Sequence, residues 1–158
     1  MPATGSRPKP RKPQPRPPPF ADARVAQRFA DYGDDVRSQL TAVREPIFEV
    51  AAETEAVGPL LETLKWNQPA YLPKTPRIGT TVRIDAVKGQ PGSAAVYVHC
   101  QTSLIDTFRH LYRDRFQFEG NRAVIVSGHS QPQRAALKHC IALALTYHLD
   151  RKSRSGRS

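Results

Sequence analysis

Between residues 22 and 149 the apolar positions recur at helical and strand spacings. Residues 22–32 (DARVAQRFADY) put Val25, Phe29 and Tyr32 on one side of a short helix, which Gly33 ends. Asp34 is then placed to cap a second helix, in which Val36, Leu40, Val43, Ile47 and Val50 follow at steps of four and three. Pro46 lies inside that stripe and predicts a kink or a restart, because proline lacks the amide proton and collides with the preceding turn. Residues 80–87 (TTVRIDAV) and 94–101 (AAVYVHCQ) alternate apolar and polar, as strands do, and the KGQPGS segment between them carries turn residues. Residues 103–114 predict a helix, with Ser103 and Asp106 spaced like a capping box. FQF and RAVIVS flank Gly120-Asn121 and read as a hairpin. Ser130 and Gln133 form a second capping box around Pro132 and open a long helix, whose buried face takes Leu137, Cys140, Ile141, Ala144, Leu145 and His148.

Helices, strands, a helix, a hairpin and a helix follow one another without a crossover between every strand. This order predicts an α+β fold, with a mostly antiparallel sheet, N-terminal helices and a long C-terminal helix packed on it. The domain is expected over 22–149. Residues 1–21 and 150–158 read as disordered tails, the first rich in Pro, Arg and Lys and the second basic.

Charge sharpens that division. The net charge is +10, yet residues 1–19 hold five cations and residues 151–158 four, with no acid in either. The remaining body is almost balanced. The basic stripe of a dedicated DNA-binding fold is therefore missing from the body, and weak, non-specific nucleic-acid binding through the tails is the partner that charge suggests. No stretch reaches the roughly 18 apolar residues of a membrane span. The basic start has no apolar segment after it of the kind that marks a secretory signal. The cysteines, Cys100 and Cys140, lie in dissimilar contexts, which favours a reducing, cytoplasmic location.

Catalytic patterns fail on geometry. Ser103, Asp106 and His110 share one helix with the acid in the middle, whereas a triad needs the histidine there. No paired Cys or His spacing suits zinc, and no glycine-rich phosphate loop occurs. The chain therefore reads as non-enzymatic and without a resident cofactor. Glu45, Glu49 and Glu53 recur at every fourth residue with Glu55 just beyond, and such a carboxylate ridge suits hard divalent cations or iron.

The segment LKWNQPAYLP carries the only tryptophan. Asn67 suits a left-handed bend, and Pro69 stiffens the exit. Trp66, Asn67, Pro69 and Tyr71 either line a binding pocket or anchor the core, with Trp66 and Tyr71 packed on either side of a turn that joins the helical half to the sheet. Lys65, Trp66, Pro69 and Tyr71, followed by TTVRI and the closing ALKHCIALALTYHL, resemble the YdhG-like family of uncharacterised domains over about residues 30–149. That family usually has glycine where this chain has Asn67. The resemblance implies an α+β fold with an antiparallel sheet and no defined reaction. Some members are described as frataxin-like iron chaperones, which would place iron on Glu45, Glu49, Glu53 and Glu55. The leading expectation is a cytoplasmic YdhG-like binding or accessory module. A metal chaperone and a nucleic-acid-associated protein are the alternatives.

Overall fold

The structure is a computed structural model that describes residues 17–99, 102–128 and 130–149. Expectations for residues 1–16 and 150–158, and for Cys100, lie outside that range. In chain order the elements are α1 (Ala23–Asp31), α2 (Asp34–Glu53), β1 (Leu60–Lys65), β2 (Gln68–Pro73), β3 (Val82–Val87), β4 (Gln90–Tyr97), α3 (Leu104–Tyr112), β5 (Gln117–Glu119), β6 (Ala123–Ser127) and α4 (Gln131–Leu145). The strands form one six-stranded sheet in the order β1-β2-β3-β4-β6-β5, antiparallel throughout. The fold is α+β.

Strand alternation builds the core. Tyr71, Val82, Ile84, Val96, Val124 and Val126 share one face of the sheet through the strand registers. They bury against Leu40, Val43 and Ile47 of α2, Phe108 of α3, and Leu137, Ile141 and Leu145 of α4. The opposite face holds a smaller cluster of Ala95, Ala123 and Ile125.

The helices differ from expectation in ways that packing explains. α2 runs unbroken through Pro46. Pro46 sits among the buried residues of the helix. The usual cost of an interior proline, about 3 kcal/mol, is smaller than the gain from burying four flanking aliphatic side chains at about 1.5–3 kcal/mol each. Gly33, not Asp34, occupies the N-cap position of α2; Asp34 and Asp35 fall in the first turn, where their charges favour the helix dipole. Ser103 makes no side-chain cap on α3, and Thr102 Oγ1 instead accepts from the Leu104 amide at 3.4 Å. On α4 the Ser130 half of the capping box forms. The Gln133 side chain reaches the Arg115 carbonyl instead.

Two sheet features also depart from expectation. Lys88-Gly89 alone makes the β3–β4 turn, with Gly89 at φ 76. Pro91 and Gly92 belong to β4, and a register shift between Ala86 and Val87 accommodates them. The LKWNQPAYLP segment is not a junction. It is most of the β1–β2 hairpin, inside the sheet.

The loop from β2 to β3 closes the end of α4. Thr80 donates its amide to the Ala144 carbonyl at 2.9 Å, and the Ile78 carbonyl accepts from His148 and Leu149 at 3.0 and 3.3 Å. Gly79 lies so close to α4 that a Cβ there would sit 2.0 Å from the Leu145 carbonyl oxygen. His148 is exposed beyond the helix rather than on its buried face. Residues 17–21, expected to belong to the tail, are tied to the body. The Pro18 carbonyl accepts from Arg44 Nη2 at 2.7 Å, and Phe20 packs on Phe29. Among the described residues no helix is long and apolar enough to cross a membrane.

Candidate functional site

In the β1–β2 register Lys65 faces Gln68, which leaves Trp66-Asn67 as a two-residue loop. Both loop residues have positive φ, 56° and 61°, as a type I′ turn requires. Asparagine tolerates that region because its short amide bonds locally; a bulky side chain such as Trp does not. The Trp66 side chain finds no burial in return, and the residue is 86% exposed. Arg28 Nε donates to the Asn67 carbonyl at 3.0 Å and holds the turn against α1.

The hairpin tip stands clear of β3. Lys65 and Gln68 close the turn, so the alternation of an antiparallel ladder directs the Pro69 nitrogen towards β3. Pro69 has no proton to offer there, and the β2–β3 register covers only Ala70↔Arg83 and Tyr71↔Val82. Side chains bridge the gap instead. Arg83 Nη1 donates to Gln68 Oε1 at 2.8 Å, and Gln68 Nε2 donates to Asp85 Oδ2 at 3.0 Å. Asp85 Oδ1 accepts from the Tyr32 hydroxyl at 2.6 Å, and Arg28 lies 3.6 Å from the same oxygen. Burial, then the Asp85 hydrogen bond and charge, push the Tyr32 pKa up.

The four residues of the expected pocket separate. Trp66 and Asn67 are exposed at the tip, whereas Pro69 and Tyr71 are buried below it. Tyr71 is a core anchor, edge-on to Phe48. Trp66 is not packed against the turn, so half of the anchor expectation is corrected. Beneath Tyr71 lies a pair that sequence reasoning missed. Arg44 donates Nε and Nη2 to the two Glu62 oxygens at 2.7 and 3.0 Å, with side-chain exposures of 5% and 6%. Burial lowers the Arg44 pKa, but the Glu62 hydrogen bonds and charge more than offset this, and the net shift is upward. The Tyr71 hydroxyl is buried without a hydrogen bond of good geometry, and burial and the Glu62 charge raise its pKa. The available signal was an acid between Leu61 and Leu64 and an arginine beside Val43: charges on apolar faces need partners.

A shallow groove runs between α1 and the hairpin, lined by Ala23, Arg24, Gln27, Arg28 and Asp31 of the helix and by Leu64 and Asn67 of the hairpin. Arg24 grips Asp22 at 2.8 Å and reaches Thr63 Oγ1 at 3.3 Å. The Arg24 side-chain hydrogen bond, more than its backbone one, lowers the Asp22 pKa to about 2.

The carboxylate ridge is not free to bind cations. Glu49 is buried and pairs with Arg134 of α4, and Lys138 lies 3.4 Å from it. Lys138 also pairs with Glu53 at 2.9 Å, and Arg134 lies 3.8 Å from Glu45. Glu55 is exposed in the turn after α2, outside this ladder. The ridge is thus an ionic seam between α2 and α4, and among the described residues no group of three His, Cys, Asp or Glu is arranged to hold a metal. Of the Ser103, Asp106 and His110 set, Asp106 is turned to Arg109.

The resemblance to the YdhG-like family thus rests on Lys65, Trp66, Pro69 and Tyr71 and the strand pattern after them. No family model matches the chain, and neither does any curated protein or solved structure.

Proposed function

We propose that this chain is a non-enzymatic binding module that holds its partner at the tip of the β1–β2 hairpin, through Trp66. One observation carries the reading. The single tryptophan occupies a left-handed backbone position while 86% exposed. The backbone position costs about 1–2 kcal/mol for an ordinary L residue, and the exposed indole gains nothing from the core. Glycine or asparagine would serve the turn better. Strain of this kind, unrelieved within the chain, points to a role outside the fold. A partner covering the ring offsets both costs. The YdhG-like resemblance agrees with this reading, because its Lys-Trp and Pro-x-Tyr residues are this hairpin. The iron-chaperone alternative draws no support, since Glu45, Glu49 and Glu53 already face Arg134 and Lys138.

Two measurements test the proposal. Trp66→Gly should leave the urea midpoint unchanged or raise it. A loss above about 1 kcal/mol would show the indole to be structural and overturn the reading. Oxidation of Trp66 by an indole-selective reagent should be slower in cell extract than in buffer. Equal rates would mean that nothing covers the ring.

A further inference from the structure

The strand that leads up to Trp66 is an unfinished edge of the sheet. We propose that the partner at this hairpin is an extended segment of another protein, which adds to the sheet as a strand along the outer edge of β1 and ends against the indole. This inference rests on the reading of the hairpin tip as a binding element.

β1 has β2 as its only neighbour in the sheet. Lys65 and Gln68 close the turn, so the antiparallel ladder leaves Leu60, Glu62 and Leu64 with their amide and carbonyl groups pointing away from β2. Among the described residues none of these groups has a hydrogen-bond partner. The edge is open at its centre. The Glu62 side chain is 6% exposed while the residue as a whole is half-buried, so the remaining exposure lies on its main chain. Sheet edges are normally blunted by shortness, proline or a bulge. The opposite edge, β5, has three residues. β1 has six, with no proline and an unbroken register.

The side chains define which strand fits. Arg24 of α1 meets Thr63, and Arg28, one turn on, meets Asn67, so the helix runs beside β1. The groove between them takes Leu64 and Ala23, the stems of Arg24, Gln27 and Arg28, and the Asp31 carboxylate, and it exposes more apolar than polar surface. A partner residue paired with Leu64 sets its side chain beside Leu64, in that groove, where an apolar one is required. Two positions further along, the next side chain on that face reaches the tip, where the indole stands. Of the four large apolar side chains exposed among the described residues, Leu61 and Trp66 are on this hairpin, and Phe20 lies under Arg44, the partner of Glu62. Main-chain hydrogen bonds with apolar side chains at alternate positions are how sheet edges recognise peptides. Arg24 crosses the edge to Thr63, but its side chain is 67% exposed and can turn aside without leaving a buried site. A second copy fits less well, because its β1 brings its own α1 to the seam, where the two helices compete for the space beside Leu64.

The probe is a library of random dodecapeptides displayed on phage and selected on the immobilised full chain. A synthetic peptide of the selected sequence is then titrated. The selected sequences should share apolar residues at alternate positions. Bound peptide should shift Trp66 emission saturably and slow hydrogen exchange at the Glu62 and Leu64 amides. Leu64→Pro removes an outward amide proton and leaves the bonds to β2 intact. It should weaken the peptide roughly five-fold or more beyond Leu64→Ala, which loses only the side chain. Circular dichroism checks that both variants fold, and the exchange measurement on the native chain decides if Leu64→Pro does not. A selection without a binder, a bound peptide that leaves both amides fast, or Leu64→Pro binding as tightly as Leu64→Ala overturns the inference. So does slow exchange at those amides in the free chain, where light scattering distinguishes an edge-to-edge dimer from a monomer that covers its own edge. The oxidation experiment separates the two readings. Trp66 protected in extract, with no peptide that slows the two amides, leaves the binding tip standing without strand addition. Trp66 oxidised equally fast in extract and buffer removes both.

Discussion

Gly79→Ala is the substitution whose cost follows most directly from the structure. The added Cβ would lie 2.0 Å from the Leu145 carbonyl oxygen and 2.2 Å from its carbon, both backbone atoms, where real Cβ contacts below 3.0 Å are essentially absent. The loop must withdraw by about 1 Å, because a backbone target cannot rotate away as a side chain can. That movement stretches the Thr80–Ala144 and His148–Ile78 hydrogen bonds, now 2.9 and 3.0 Å, beyond bonding distance. Overpacking costs about 1–3 kcal/mol and each lost hydrogen bond about 0.5–1.5 kcal/mol. The expected destabilisation is therefore about 3–5 kcal/mol, a large share of the roughly 5–15 kcal/mol that holds a domain together. Urea unfolding followed by circular dichroism measures it as a fall in midpoint at constant m. Gly92→Ala is the control: nothing lies within 4 Å of its added Cβ, so the change should stay within about 0.5 kcal/mol of wild type. Hydrogen exchange should speed up at the Thr80 and His148 amides in Gly79→Ala. If Gly79→Ala matched Gly92→Ala, the close approach of loop and helix would be wrong.

Three further outcomes are expected. Glu62→Gln leaves Arg44 buried without its counter-charge and should cost about 3–5 kcal/mol, whereas the double change Glu62→Leu/Arg44→Met should recover much of that loss; a single variant as stable as wild type would contradict the buried pair. Burial pushes the Cys140 thiol up to about 12, so in a Cys100→Ser background it should stay protonated and unreactive to a thiol reagent at pH 8 until the protein unfolds, and labelling at the rate of a free thiol would contradict this. Asp22 should titrate near pH 2 by carboxyl NMR rather than at its ordinary 3.8. Its folded pKa is the lower one, so the stabilisation is complete above about 3.8 and is lost as pH falls through 2; Arg24→Ala should move the titration back up, and an unmoved curve would refute Arg24 as the cause.

Elements with a clean period were legible in the chain. α1, α2, α4 and the β5–β6 hairpin follow from spacing, and β3 from its alternation. β1 and β2 were hidden because their pattern is inverted. Glu62 faces the core and Leu61 faces solvent at 43% exposure, the reverse of what alternation expects. Prolines at 69 and 73 made β2 look like a loop, and a Trp-Asn turn lacks the usual Asn-Gly signal. The left-handed bend at Asn67 was readable from residue type; the same bend at Trp66 was not, because propensity argues against it. The seam between α2 and α4 escaped for another reason. The partners of Glu49 lie 85 and 89 positions along the chain, and periodicity within one helix cannot show them.

The placement of Trp66 gives the molecule an optical property of its own. The ring is hydrated in the folded chain and will be hydrated in the unfolded one, so its emission should barely register denaturation. Anything that settles on the hairpin tip will alter that emission at once. Folding and contact can thus be followed in one cuvette on separate channels, far-ultraviolet ellipticity for the first and indole fluorescence for the second, without attaching a probe to the native sequence.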